Sequence, residues 1–298
     1  MPNKYFLSAI TAFVMWGFFS LALKPLHDYP SLDILFYRVF YATVLLLLIN
    51  AAFRKKALQS DYVVFTKLER KRRVKMLALT IGGGFLLVVN WFLFIYAINH
   101  VSLKSASFAY LICPIVTTVL ANLILKEQLS RWQWLAVGMS FLSCVILGME
   151  SATDLAYSLV IAFTFAMYLI TQRKNNQFDR FVILTVQMAI AALVILPFFP
   201  VYSGPLPTAS VFWVSMNFIV IFFTIIPLFL NLYALKGMRS ATVGILMYLN
   251  PMIHFMLAVF YFKERVDALE VTAYLLILAS IVVFNEQFLF RRRTRVES

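Results

Sequence analysis

Charged residues are scarce in this chain, and their scarcity excludes most classes of protein. Only 13% of the 298 residues are charged, 62% are apolar, and the mean hydropathy is +0.86. Soluble domains carry about 25% charged residues. So few charges cannot form a polar surface, which excludes a soluble globule as well as disordered, collagen-like and disulfide-rich chains. The composition predicts an integral membrane protein.

Cysteine and histidine are also rare, which limits the chemistry the chain can perform. The two cysteines, Cys113 and Cys144, lie inside apolar runs and are expected to be buried small side chains. Three histidines, two of them in predicted outer loops, cannot form a membrane zinc site. The Gly-x4-Gly-Lys-Ser/Thr motif of ATP-binding loops is absent. We therefore expect no catalytic residue, no metal and no cofactor.

Long apolar runs are the dominant feature of what is present. A membrane-spanning helix needs about 20 mainly apolar residues. The sequence therefore predicts an all-α integral membrane protein with ten transmembrane helices. The ten predicted spans are 5–24, 31–53, 76–98, 103–125, 131–149, 155–172, 180–200, 211–236, 241–262 and 268–288.

The distribution of lysine and arginine predicts the orientation of these helices. If both termini are cytoplasmic, 21 of the 26 basic residues lie on the cytoplasmic side and four lie outside, as the positive-inside rule requires. Arg38 is the remaining one, within the second span. The long basic loop 54–75 is then expected to lie beside anionic lipids of the cytoplasmic (inner) membrane, and not on nucleic acid.

An internal repeat relates the two halves of the chain. Spans three and four recur as spans eight and nine at a constant offset of 137 residues, and an offset of 149 places Arg38 on Gln187. The repeats are predicted as 1–150 and 151–298. Each holds five spans, and because five is odd the second repeat is inverted, as in many transporters. The matched pairs include Tyr96 with Tyr233, Pro114 with Pro251, Lys126 with Lys263 and Glu127 with Glu264.

Several short motifs carry a resemblance to a known family. They include Met15-Trp16-Gly17, the run from Asn90 to Asn99, Lys126-Glu127 and Tyr248-Leu249-Asn250-Pro251. The chain resembles EamA-type permeases of the RarD group, within the drug/metabolite transporter superfamily. The resemblance implies a cytoplasmic-membrane permease whose central cavity is lined mainly by spans 1, 3, 4, 6, 8 and 9. Family members tend to have histidine where this chain has Tyr37.

Arg38 is the only formally charged residue well inside a predicted span. Polar groups at membrane depth are costly and are therefore candidates for function. Arg38 is the anchor for a carboxylate or another anionic group, or a tie to carbonyl groups of a neighbouring helix, or a lid residue whose side chain snorkels toward the outer interface. Tyr41 lies one turn further on the same helix face and could contribute to the same site.

Two prolines mark the sharpest pattern in the predicted spans. Pro114 and Pro251 are repeat partners, and a proline within a helix removes one hydrogen bond and favours a break. A stripe of side chains with i, i+3, i+7 spacing accompanies each proline. The two stripes are interpreted as opposing walls of the cavity, with interhelical hydrogen bonding as the alternative. They consist of Tyr110, Cys113 and Thr117, and of Met247, Asn250 and His254.

Further polar and aromatic side chains complete the candidate site. Asn90 and Asn231 could line the cavity or link helices. Large aromatic side chains favour an amphipathic substrate, aromatic compounds included. The triplet 82–84 of three glycines permits close helix packing or bending. The aromatic candidates are Trp16, Trp91, Tyr168 and Tyr248.

These features together predict a solute permease or exporter that works by alternating access. The competing hypothesis is a membrane-embedded ligand-binding sensor or scaffold without transport; an enzyme is disfavoured because no catalytic cluster is present. No acidic residue lies in the middle of a predicted span, which favours a facilitator or exchanger, with proton coupling through His254 as a variant. The expected partners are a small-molecule substrate and lipid, and the protein is a monomer or a homodimer.

Overall fold

A computed structural model describes residues 3–100, 103–147, 152–261, 263 and 268–285. These residues form helices and connecting turns, and no β-strand occurs among them. Helices are the expected outcome of continuous apolar runs, since in lipid each backbone N–H and C=O must be satisfied within its own segment. The α-helices are α1 (Asn3–Gly17), α2 (Phe19–Leu23), α3 (Ser31–Phe53), α4 (Lys55–Lys67), α5 (Arg70–His100), α6 (Leu103–Leu125), α7 (Arg131–Leu147), α8 (Ala152–Lys174), α9 (Arg180–Ile195), α10 (Phe199–Tyr202), α11 (Ser210–Val220), α12 (Ile226–Gly237), α13 (Ser240–Leu246), α14 (Leu249–Phe260) and α15 (Ala268–Phe284).

Seven helical segments of the described chain are long and apolar enough to cross a membrane, which makes this a multi-pass membrane protein. The bent pair Lys4–Gly17 and Phe19–Leu26, with an angle of 42° between its parts, would be an eighth. Helices α7 and α15 are apolar but have only 17 residues each. Seven or eight of the ten predicted spans therefore have the expected length. The seven are Ser31–Phe53, Arg70–Ala97, Phe108–Leu125, Leu155–Lys174, Arg180–Tyr202, Ser210–Gly237 and Ser240–Leu257.

The bundle has a mainly hydrophobic core that also contains polar side chains, and many large apolar side chains are exposed on its outside. Large apolar side chains such as Leu193 and Phe260 are each 68% exposed. Polar side chains such as Gln172 and Gln187 are fully buried. An apolar exterior around a partly polar interior is the arrangement expected of helices packed in lipid, because the acyl chains solvate the outer side chains.

Helix packing brings the two halves of the sequence together. Helix α5 packs on α8 and α9, α1 packs on α12 and α14, and α6 packs on α8 and α13. Helices α7 and α15 pack on each other through small residues. Ser140 Oγ lies 2.9 Å from Ser280 Oγ, and Ser143 Oγ donates to the carbonyl of Ala273 at 2.8 Å. Small side chains at such contacts allow close approach of the two helices.

One end of the bundle, called the basic end below, is closed by bonds between distant segments. The Arg54 Nη2 atom lies 2.8 Å from Asp179 Oδ2. Arg173 donates to the carbonyls of Leu235 at 2.8 Å and Lys236 at 3.1 Å. These last two bonds place a cation at the C-terminal end of α12, where the helix dipole favours it. The contacts hold the loops of this end together.

Helix α4 is pinned to the basic end through two aspartates. Asp179 caps α9 by accepting from the N–H groups of Phe181 at 2.9 Å and Val182 at 3.2 Å. Its own N–H donates to the Asp61 carboxylate of α4 at 3.0 Å. Burial raises the pKa of the Asp61 carboxyl, while the hydrogen bond from Asp179 and the positive charge of Arg54 oppose that rise.

Two lysines have a left-handed backbone that is unusual for a residue with a side chain. Lys126 has φ 55° and Lys263 has φ 57°, and among the described non-glycine residues only these two have positive φ. Glycine is the usual residue at such a position after a helix. The turn at Lys126 directs the Glu127 carboxylate across to α13, where it accepts from Ser240 N at 2.8 Å and Ala241 N at 3.1 Å. A carboxylate here complements the helix dipole.

Candidate functional site

Arg38, Trp91 and Tyr110 lie at a similar depth in three neighbouring helices. Arg38 is seven residues into α3, Trp91 is nine residues before the end of α5, and Tyr110 is seven residues into α6. At 1.5 Å per residue, each is about 10–14 Å from the end of its helix. For all three residues, this helix end lies at the end of the bundle opposite the basic end. The sequence-predicted arginine therefore meets two predicted aromatic side chains inside the bundle.

The guanidinium of Arg38 is bordered by aromatic rings. Its Cζ atom lies 4.7 Å from the centroid of Trp91 and 5.8 Å from that of Phe19, within the range of cation–π attraction. Its main electrostatic neighbour is Tyr110. The Arg38 Nε atom is buried without a hydrogen-bond partner, although the residue as a whole is half-buried. We call Arg38, Phe19, Trp91 and Tyr110 the arginine site.

Trp16 adjoins the arginine site through its hydrogen bond. Its Nε1 donates to the carbonyl of Phe223 at 3.0 Å, and Phe223 lies in a π-helical turn, Ile221–Ile225, between α11 and α12. The rings of Phe223 and Phe19 lie 5.7 Å apart. Turns of this kind are frequent at functional sites. Trp16 therefore ties α1 to the irregular turn that lies beside the site.

Tyr41 and Asn90 each donate hydrogen bonds to a neighbouring helix. The Tyr41 hydroxyl donates to the side-chain oxygen of Asn217 on α11. Asn90 Nδ2 donates to the carbonyl of Ile161 at 2.8 Å and to Thr164 Oγ1 at 3.0 Å. Asn90 therefore links α5 to α8, which is the alternative role stated for it above.

The two repeat-related prolines behave differently. The helix is interrupted between α13 and α14. Pro251 lies in the first turn of α14, where its missing N–H costs no helical hydrogen bond. Pro251 cannot donate to the carbonyl of Met247, four residues earlier. That carbonyl accepts instead from Asn250 N at 3.0 Å. The predicted break at Pro114 is absent: α6 continues through it, and Thr118 Oγ1 donates to the Pro114 carbonyl at 2.8 Å. One lost bond is tolerated there because the turns on both sides remain intact.

The predicted stripe along α6 divides between the site and the packed interior. Tyr110 borders the arginine site, whereas Thr117 is fully buried against Gly244 of α13. Cys113 Sγ lies 3.8 Å from Thr117 Oγ1 and 3.6 Å from the carbonyl of Ala162. Cys113 and Thr117 therefore contribute to the packing of α6 against α8 and α13.

The second stripe and the remaining candidates are mostly buried. Asn250 is 8% exposed with an unpartnered Oδ1, and His254 is half-buried. Asn231 is fully buried, and neither of its amide atoms has a partner. Tyr168 and Tyr248 are also fully buried. These side chains lie in the interior of the bundle.

A buried polar network that the sequence reasoning did not identify lies between α5, α8 and α9. Gln187 Nε2 donates to Gln172 Oε1 at 3.0 Å, and both amides press against Gly83 of α5. Arg180 donates to the carbonyls of Gln172 at 3.2 Å and Asn175 at 2.6 Å. The available signal was glutamine within an apolar run, which is costly in a membrane unless it is paired. The pattern alone had singled out Gln187 only as the repeat partner of Arg38.

The fold and this polar interior define a multi-pass helical membrane protein with an enclosed arginine. In the described part of the chain, no group of three or more histidine, cysteine or acidic side chains is arranged to hold a metal ion. A family model for the EamA-like transporter family matches residues 3–149 and again residues 154–285. The chain belongs to the EamA-like transporter family, whose description indicates transport and not catalysis.

Individual proteins agree with this family. The chain is 28% identical over 290 residues to the "Uncharacterized transporter YojE" of Bacillus subtilis (strain 168), covering 95% of this chain and 94% of that protein. It is 26% identical over 298 residues to "Protein RarD" of Escherichia coli (strain K12), covering 96% and 95%. A solved structure described as "Crystal structure of protein" superposes with a TM-score of 0.75 at 17% identity, covering 97% and 98%. That structure supports the fold alone.

Proposed function

We propose that this protein is a permease or exporter that moves a small amphipathic metabolite or drug-like solute across the cytoplasmic membrane. The observation that carries the proposal is the arginine site: a half-buried guanidinium with aromatic walls, deep in a membrane-embedded bundle. A charged side chain at this depth in a membrane is costly and therefore rare. Where such a side chain occurs, it commonly marks the pathway of a solute or an ion. Hydrogen bonds such as those from Arg173 hold the basic end together, and the arginine site lies nearer the opposite end of the bundle.

Two inverted five-helix repeats, 1–150 and 151–298, provide the mechanism of alternating access. The proposal is supported by the two consecutive family matches and by the shared left-handed backbone of the repeat partners Lys126 and Lys263. Helix packing supports it as well. Helix α5 packs on α8, and their repeat counterparts α12 and α1 also pack on each other. Two similar halves of opposite orientation can exchange their conformations, which opens the cavity to each side in turn.

The basic end is proposed to face the cytoplasm, with both termini on that side. The supporting observation is the concentration of lysine and arginine at this end, including the exposed Lys55 and Lys56 of α4 and the exposed Arg70. The same residues are positioned for contact with anionic headgroups of the inner leaflet.

A ligand-binding sensor or scaffold without transport is the alternative function. A sensor or scaffold would bind its ligand at the same arginine site but would not need the two halves to exchange conformations. Movement of solute therefore separates the two proposals.

Purified protein in sealed liposomes should release one or a few members of a loaded panel of small amphipathic solutes. The panel should contain aromatic acids, amines and neutral drug-like compounds, with the remaining content measured by mass spectrometry. Release is expected to be selective because a shaped site and not a pore is involved. A facilitator or exchanger would act without a pH gradient.

Protein-free liposomes provide the background for each compound. Equal release of every panel member would indicate leakage. If no compound leaves faster than from protein-free liposomes, while the same compounds bind the protein, the sensor or scaffold replaces the permease.

A further inference from the structure

The positive charge of Arg38 has no balancing charge in its surroundings. Within the described chain, the side-chain ion pairs include Arg54 with Asp179 and His27 with Asp28, and Arg38 pairs with no acidic group. Asp33, the nearest acidic residue in sequence, accepts instead from Gly204 N at 3.1 Å. A buried cation without a counter-ion is costly, and a bound anion is the simplest way to remove that cost.

The hydrogen-bonding capacity of the guanidinium is also unused. The Arg38 Nε atom is buried and without a partner, and Arg38 donates no hydrogen bond to any other described residue. This argues against the tie to backbone carbonyls that the sequence left open, since such a tie would occupy these donors. A carboxylate matches the planar fork of a guanidinium with two parallel hydrogen bonds.

The walls of the arginine site are aromatic. Trp91 and Phe19 lie against the guanidinium at 4.7 and 5.8 Å, and Phe94 and Tyr110 adjoin each other with ring centroids 5.4 Å apart. Aromatic walls favour a ligand that presents a flat apolar body beside its polar group. Short hydrophilic anions would leave these rings without contact.

No described acidic side chain is positioned to receive an ammonium group at the arginine site. Among the described residues, Arg38 forms no ion pair with an acidic side chain, and the site's ring-bearing neighbours Phe19 and Trp91 carry no charge. A zwitterion would therefore bring a second, positive charge close to an uncompensated guanidinium. The charge balance favours a ligand with one negative charge and no positive one.

We propose that the arginine site binds aromatic monoanions, in particular aromatic carboxylates, and discriminates against zwitterions and cations with the same ring. This inference rests on the proposed transport function only in naming these anions as the transported class. Binding itself requires only the site. Arg38 holds the carboxylate, and Trp91 and Phe19 contact the ring.

A matched ligand series tests the proposal with the full-length protein in lipid nanodiscs at neutral pH. The three probes are 3-phenylpropionate, phenylalanine and 2-phenylethylamine, which carry the same ring with a net charge of −1, 0 and +1. Calorimetric titration should show binding of 3-phenylpropionate. The affinity for phenylalanine should be weaker by a factor of about ten or more, and binding of the amine should not be measurable. Equal affinity for the anion and the zwitterion would overturn the proposal, as would binding of none of the three.

Variants assign the effect to the named side chains. Arg38→Gln should weaken binding of 3-phenylpropionate by about ten- to hundredfold, because a charged hydrogen-bond partner is lost. Arg38→Lys, which keeps the charge but not the fork, should fall between the two. Trp91→Leu should reduce the preference for 3-phenylpropionate over propionate. Unchanged anion affinity in Arg38→Gln contradicts the site. If that variant does not fold, Arg38→Lys and the wild-type charge series still decide.

The outcomes separate this proposal from the proposed function. Arg38-dependent binding of 3-phenylpropionate without flux in liposomes would retain the anion site and reject the permease. Flux of panel compounds that Arg38→Gln leaves unchanged would retain the permease and reject the anion site. Liposomes without protein correct for passive entry of the neutral acid.

Discussion

Replacing Gly17 by alanine should lower the free energy of unfolding by about 1–3 kcal/mol, the usual cost of overpacking a tight contact. Gly17 is the last residue of α1 and lies against α14. A Cβ atom at this position would come within 2.7 Å of Ile253 Cβ. Because Ile253 Cβ is fixed to its backbone, the contact can be relieved only by moving α1 and α14 apart. A lower melting temperature in detergent should report this change.

Gly82→Ala is the matched control for Gly17→Ala. Gly82 also lies in a helix, and a Cβ atom there would meet no other atom within 4 Å. Alanine is favoured over glycine in helices by about 0.5–1 kcal/mol, so this variant should be neutral or slightly stabilising. If both variants have the same melting temperature, the close contact between α1 and α14 is not present in the protein.

Replacing Glu127 by alanine should loosen the basic end. The variant removes two hydrogen bonds to the N-terminus of α13, from Ser240 N and Ala241 N, together with a favourable interaction with the helix dipole. Loss of such a cap costs about 1–2 kcal/mol. This corresponds to a change of about five- to thirtyfold in the equilibrium between closed and open forms of this end. Hydrogen exchange at the first amides of α13 should become faster by a similar factor.

The neighbouring residue provides the control for Glu127. Gln128 uses its backbone carbonyl, not its side chain, to accept from Arg239 Nη1 at 3.1 Å. Gln128→Ala should therefore leave exchange in α13 unchanged. Glu127→Gln keeps one oxygen acceptor and should lie between wild type and Glu127→Ala. Slow exchange in Glu127→Ala would mean that the cap does not hold this end closed.

The helical architecture was largely predictable because apolar runs of about 20 residues allow few other structures in lipid. The windows 31–53 and 180–200, for example, agree with α3 and with the first part of Arg180–Tyr202. The windows 131–149 and 268–288 agree with α7 and α15 over the 17 residues of each helix, and residues 148–149 and 286–288 lie outside the described residues. Hydropathy shows that a segment is apolar but not where its helix begins and ends.

The candidate site was predictable in part. Arg38 and Trp91 could be identified because a charge and a large aromatic inside an apolar run are unusual. Their contact depends on the arrangement of α3 against α5, which one sequence does not reveal. The different outcomes at Pro114 and Pro251 also depend on position within a helix. Pro114 lies in the middle of the continuous helix α6, whereas Pro251 lies in the first turn of α14, just after the break between α13 and α14. The pairing of Gln172 with Gln187 required the structure.

The central claim is the proposal that the two ends of the bundle open in turn, by alternating access. Two conservative reporters can follow it: Ser31→Cys, at the first residue of α3 and half-buried at the end opposite the basic end, and Ser240→Cys, which is fully buried at the basic end. Each would be placed in a background in which Cys113 and Cys144 are replaced, since both native cysteines are free thiols.

Labelling of these reporters by a membrane-impermeant maleimide, with and without Glu127→Ala, is the most direct measurement. Alternating access predicts reciprocal changes: Glu127→Ala should increase labelling of Ser240→Cys from the side of the basic end and decrease labelling of Ser31→Cys from the opposite side. Reciprocity follows because opening of one end requires closure of the other. If labelling of both reporters rises together, or if Ser31→Cys is unaffected while Ser240→Cys becomes reactive, the two ends are not coupled and alternating access is contradicted.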